Sequence, residues 1–262
     1  MSNQNTLLPA LAATSGGGLT ITTGPQRITT RMAENLLGMA CSQERALAAQ
    51  RRYRIGDYEF READYAQIQR WARMLGIEPT AVVEELASKK INKIFDDEHT
   101  EFCVKAGTIF SLGWDFDRLP VTDWAWEKGL QIARLSVLNA SVLNAESLPK
   151  LPECLHEFVC KGCQVSSVKL TQVPNLIKLD CSCNRLNGLD LTPVPKLQKL
   201  YCWGTRLTKL DLTPVPWLKD LHCYMNQLTE LDLTPVPRLQ NLWCDASLNI
   251  TGAPPNLKIR RL

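Results

Sequence analysis

The apolar positions of this chain change period along its length. From Thr30 to about Arg54, Met32, Leu36, Leu37, Met39, Ala40, Leu47 and Ala48 recur at helical spacing, with Thr30 as N-cap and Gly56 as stop. A second helix is predicted from about Glu62 to Leu75, where Ile68, Trp71, Ala72 and Leu75 share one face and Gly76 follows. Pro79 or Thr80 opens a third, which runs to about Phe95 through Val82, Val83, Leu86, Ile91 and Ile94. Phe102, Phe110, Trp114, Phe116, Trp124 and Trp126 then crowd into one short stretch. Beyond it the period lengthens. One sentence of 21 residues, Leu-x-x-Leu-x-Cys-x-x-Asn-x-Leu-x-x-Leu-Asp-Leu-Thr-Pro-Val-Pro-x, begins at Leu176, Leu197 and Leu218 and frays from Leu239. Leu155, Phe158, Cys160, Cys163, Val165, Val168, Leu170, Val173 and Pro174 fill the same slots upstream, and Ile132 to Pro152 reads as a degenerate first copy.

Within each copy the alternation predicts a strand centred on Leu-x-Cys, with Leu and Cys turned into a core. Asn184 and Asn226 stand where that strand turns, where an amide can bond main-chain groups; Thr205, Ser247 and Cys163 are smaller substitutes. The Thr-Pro-Val-Pro return segment cannot be helical, because a proline removes an amide donor and restricts the residue before it. This run resembles the leucine-rich repeat, with Cys in its third apolar slot. Together with the helical spacing upstream and the prolines of the return segment, the resemblance points to an α+β fold: an α-helical N-terminal domain followed by a short leucine-rich-repeat solenoid, with a parallel sheet on one face and an extended, non-helical back. Domains are expected at 1–27 (a disordered tail rich in Ser, Thr, Gly, Asn and Gln), 28–130 (helices and a cap) and 131–262 (the repeats). The aromatic stretch reads as that cap, since the first turn of such an array would otherwise expose its core.

A net charge of +3 is too small to imply a polyanionic partner, and no apolar stretch approaches the roughly 20 residues that span a bilayer. The start of the chain has no basic region ahead of Leu7 to Ala13, so it does not read as a secretion signal. Ten cysteines would suggest disulfides, but Cys160, Cys181, Cys202, Cys223 and Cys244 share one core slot and would stack with parallel Cβ vectors, which suits buried thiols. A cytoplasmic protein is therefore expected, while the composition of the first residues has a general likeness to the leaders of exported bacterial effectors. Zinc would need Cys160, Cys163, Cys181 and Cys183, and the repeat already accounts for three of these; no metal and no cofactor is expected.

The solenoid leaves the third, fifth, seventh and eighth positions of each copy unused. On strands about 4.8 Å apart, Tyr201, Trp203, His222, Tyr224, Met225 and Trp243 should form one patch, with Asp180, Lys199, Asp220 and Asp245 as its polar rim. Clusters of Trp and Tyr bring large area at small entropy cost, which points to another protein as partner. The resemblance likewise implies adaptors, effectors or recognition subunits. Catalysis finds no support: His222 lies about 10 Å from Cys183 on the strand spacing, and no phosphate loop, His-Glu-x-x-His or Gly-x-Ser-x-Gly is present. An alternative comes from residues 58–94, which resemble a ribbon-helix-helix module, most of all at Trp71 to Thr80. That would make the chain a DNA-binding regulator with the repeats as sensor. Against it, residues 27–105 hold thirteen Lys and Arg and thirteen Asp and Glu, a poor match for phosphate-dominated binding.

Overall fold

The structure is a computed structural model that describes residues 51–88, 102–115, 118–120, 126, 130–138 and 151–262, with short stretches of the first fifty. The chain divides into two compact units, Met1–Arg51 and Arg52–Leu262. In the first, β1 (Ala12–Ala13) pairs antiparallel with β2 (Leu19–Thr20), and β3 (Thr22–Thr23) with β4 (Gln26–Arg27), inside the stretch expected to be a tail. Helical residues occur there at 38–40, 42, 46 and 50.

The second unit opens on a difference from the sequence reading. Tyr53–Ile55 (β5), expected to end a helix, forms an antiparallel hairpin with Tyr58–Phe60 (β6). The physical reason lies in Gly56, whose φ of 58 supplies the turn. A ribbon-helix-helix module would pair its strand with a second copy, whereas Tyr58–Phe60 is paired within the chain. Helix α1 (Glu62–Leu75) ends as its sequence indicates, with Gly76 left-handed and Ile77 N donating to Ala72 O at 3.1 Å. Helix α2 (Pro79–Ala87) starts on its proline but stops at Ala87, because Ser88 turns to extended backbone. Ile91, Ile94 and Phe95 lie outside the described residues.

Residues assigned in advance to the helical domain also supply strands. The β7 (Cys103–Lys105) and β8 (Thr108–Asp115) hairpin turns on Ala106 and Gly107, both at positive φ, and joins a nine-stranded sheet. After it come β9 (Arg134–Leu138), β10 (Glu157–Val159), β11 (Lys178–Asp180), β12 (Lys199–Tyr201), β13 (Asp220–His222), β15 (Asn241–Cys244) and β17 (Lys258–Arg261), every one parallel to the strand before it in the sheet. On the return side β14 (Glu230–Asp232) pairs parallel with β16 (Asn249–Thr251). The Arg52–Leu262 unit is thus a solenoid of parallel strands whose first turns carry two helices.

Register explains why. Phe158, Leu179, Leu200, Leu221 and Leu242 face one another across successive strands, so every turn places a large apolar side chain on the one below. All five are fully buried, as are Cys160, Cys181, Cys202, Cys223 and Cys244. Burial pushes all five thiols up, so they stay protonated. Asn184 Nδ2 donates to Cys160 O (2.7 Å) and Cys181 O (2.9 Å) while its Oδ1 accepts from Val165 N, and Asn226 repeats the pattern one turn on. Cys163, in the same slot, donates its thiol to Val137 O at 3.2 Å.

The back is non-helical, and between its extended residues the chain makes tight turns. Val194 N donates to Leu191 O (3.0 Å) and Leu197 N to Val194 O (3.1 Å), two consecutive turns, and the same pair recurs at Val215 and Leu218. Proline accounts for the second of these turns, since a φ near −65° suits the first central position and Pro195 stands there, while Thr192 and Pro193 form the centre of the first.

Helices and sheet share one core. Trp71 of α1 meets Trp114 of β8 at 4.6 Å between ring centroids, and Trp126 meets Trp71 edge-on at 6.0 Å. Asp64, on the same helix face as Ile68 and Trp71, is buried and accepts from Ile109 N at 2.8 Å. Phe116 and Trp124 lie outside the described residues.

Candidate functional site

The solvent side of the sheet from β10 to β17 carries the residues left over by the core. Each expected ring sits there because its slot points opposite to Leu and Cys. In-register parallel pairing does more than cluster them: it stacks them. Tyr201 and His222 lie 4.5 Å apart between ring centroids, and His222 and Trp243 lie 4.8 Å apart at 25°. In the neighbouring column Trp203 and Tyr224 stack at 5.2 Å and 6°.

Cations close both ends of the first column and the Trp203 end of the second. Lys178 Nζ lies 5.8 Å from the Tyr201 ring centre, the Arg260 guanidinium 4.5 Å from Trp243, and Lys161 Nζ 4.9 Å from Trp203. Lys161 and Arg260 were not singled out from sequence. The signal for Lys161 was available, because it fills the seventh slot of the upstream copy; Arg260 sits in a turn too frayed to align.

The rings are only half exposed because they cover one another. For the same reason two side chains on this face are buried. Ser182 lies beneath the span of Lys161 toward Trp203, and Lys178 is held against Tyr201. Met225 is different. It stands at the turn after β13, 65% exposed, at a φ of 55 that non-glycine residues rarely adopt. Cys183 occupies the same slot at φ 55, exposed, while Gly162 and Gly204 fill it without a Cβ.

Among the rim residues the acids are already engaged. Asp180 Oδ1 accepts from Ser182 N at 3.0 Å, Asp245 accepts from Met225 N (2.8 Å) and Asn226 N (3.3 Å), and Asp220 accepts from Asn241 Nδ2. Upstream, Glu157 pairs with Arg134 at 3.1 Å. Lys199 is exposed. Burial between its flanking rings lowers the pKa of His222, opposed by the charges of Asp220 and Asp180, so the imidazole is neutral near pH 7. Among the described residues no group of three or more His, Cys, Asp or Glu is placed to hold a metal ion, and no helix is long and apolar enough to cross a membrane.

No protein-family model and no curated protein sequence matches the chain. Similar solved structures include YopM from Yersinia enterocolitica WA-314, at 23% identity and a TM-score of 0.40 over 50% of this chain and 28% of that one. A functional domain of InlJ from Listeria monocytogenes, described as including a cysteine ladder, matches at 22% identity and a TM-score of 0.34 over 47% of this chain and 36% of that one. The leucine-rich repeat domain of APL1B matches at 18% identity and a TM-score of 0.38 over 44% of this chain and 47% of that one. The matched part is less than half the length of each.

Proposed function

We propose that the chain is a non-catalytic protein-recognition module, an adaptor, effector or recognition subunit, that binds its partner through the strand face. The observation that carries this reading is the double column of rings on the side of the sheet that the core does not use. Tyr201, Trp203, His222, Tyr224, Met225 and Trp243 are the anchors. Of the rim, Lys199 remains available to a partner, while Asp180, Asp220 and Asp245 act by fixing the face. A ring held between neighbours has little conformational freedom left to lose, so ordering it on binding costs less than ordering an isolated surface side chain.

The test compares affinity capture by the intact chain and by the Trp203→Ala/Trp243→Ala variant, with the affinity for the captured protein then measured in purified form. Loss of at least about 2 kcal/mol of affinity in the variant is expected of two hot-spot residues. Equal affinity in a variant that still folds would overturn the reading.

A further inference from the structure

The way the rings are packed determines what they can offer a partner, and we infer that the strand face takes an acidic, extended peptide segment, a proposal that rests on the recognition reading above. Tyr201, His222, Trp243 and Trp203 each have both faces covered, by a neighbouring ring or by Lys178, Arg260 or Lys161. The stacking direction runs along the solenoid, from strand to strand, so the rings turn their edges outward. A ring edge is the positive end of the aromatic quadrupole, and the indole N–H and phenol O–H are carried on it. Such a surface favours carboxylates.

Charge points the same way. Glu157 is neutralised by Arg134, while Asp180, Asp220 and Asp245 keep their charge but have their lone pairs directed at main-chain amides or Asn241 within the face. No carboxylate pairs, among the described residues, with Lys161, Lys199, Lys258 or Arg260. The face therefore presents four cations without an acidic partner around a band of positive ring edges, against three aspartates turned to donors within the face. From β10 to β17 the sheet has six strands, placing Lys161 and Arg260 about 24 Å apart along the solenoid, the length of about seven extended residues. A single-stranded nucleic acid also brings negative charge, but it gains most of its affinity for aromatics by stacking bases on open ring faces. Both faces are occupied in four of the five rings, with Tyr224 covered by Trp203 on one side, which favours the peptide.

The test uses the full chain and fluorescence anisotropy with three labelled probes: poly-glutamate, poly-lysine and oligothymidylate. Poly-glutamate should bind, more weakly as salt rises, and Lys199→Glu/Arg260→Glu should lose at least about tenfold in affinity for it while gaining affinity for poly-lysine. The milder Lys199→Gln/Arg260→Gln should lose less. Lys169→Glu/Lys209→Glu makes the same charge change on the return side and should bind poly-glutamate as the native chain does. Three results would overturn the proposal: no binding of poly-glutamate, an equal loss in the return-side variant, or oligothymidylate binding as tightly through Lys199 and Arg260. If poly-glutamate fails while Trp203→Ala/Trp243→Ala still abolishes capture of a partner, the surface stands and its acidic preference falls. If poly-glutamate binds but that double variant leaves capture unchanged, the recognition reading is the one that fails.

Discussion

A buried thiol costs nothing until a more polar atom replaces it. Cys202 lies at the centre of the sulfur column with no exposed surface, and burial holds its proton in place. Cys202→Ser would bury a hydroxyl among apolar neighbours, so thermal or urea denaturation should show a loss of about 1 to 3 kcal/mol. Unchanged stability would mean the column is not part of the core. Asp64 behaves in the opposite way from most carboxylates. Burial, the dominant effect, pushes its pKa up to about 6 from 3.8 despite the Ile109 amide and Arg61, so between those values the folded chain holds a proton that the unfolded chain releases. Its contribution is therefore present in full below about pH 4 and is lost as pH rises to about 6. Asp64→Asn should be more stable relative to the native chain at pH 7 than at pH 4, read as the difference between urea midpoints. An unchanged difference at the two pH values would mean that this carboxyl does not titrate abnormally.

At the scale of elements, a strand of three residues is stable only through what its neighbours bury against it. Leu200 of β12 packs between Leu179 and Leu221 and is fully buried, so Leu200→Ala should cost about 2 to 5 kcal/mol in urea denaturation. A change below measurement error would show that the register is wrong. These strands were legible because the slot pattern and the register are one fact: Leu and Cys recur at the spacing that stacks them, and Asn184 and Asn226 bond where an amide at a strand turn must. The ring columns were half legible. Slot spacing placed Tyr201, His222 and Trp243 side by side, but could not show that they stack on each other or that Lys161 and Arg260 cover their ends. Nor could it show Asp245 spent on the Met225 amide, since that depends on a left-handed φ at a non-glycine residue. Where no repeat set the register, the reading went astray. Tyr53–Ile55 carried no alternation long enough to outweigh the helical pattern before it, and Thr108–Asp115 was read for its rings instead of as a strand buried on both faces. Asp64 had left a trace, for a carboxylate at helical spacing from Ile68 and Trp71 must be buried and bonded when that face packs.

Across the Arg52–Leu262 unit, stability is passed from each turn to the next. Every turn of a solenoid contacts only its neighbours, so the loss of one interface is felt mostly by the turns beside it. The helices meet the first turn through Trp71 against Trp114, through Asp64 on the Ile109 amide, and through an ion pair of Glu85 with Arg118. Trp71 is almost wholly buried and has no counterpart in the later turns. Trp71→Ala should therefore remove about 3 to 5 kcal/mol, the range for a buried tryptophan, from the first turns and little from the middle of the array. Amide hydrogen exchange can resolve this, because opening is reported residue by residue. In the variant, protection is expected to fall in Thr108–Asp115 and Arg134–Leu138 while persisting at Cys202 and Cys223, whose amides bond to His222 O and Trp243 O. The ring columns lie on those later turns, so poly-glutamate binding should survive the same substitution. Equal loss of protection from Thr108 to Cys223 would instead show that the unit unfolds as one block, with the helices holding the whole sheet and not only its beginning.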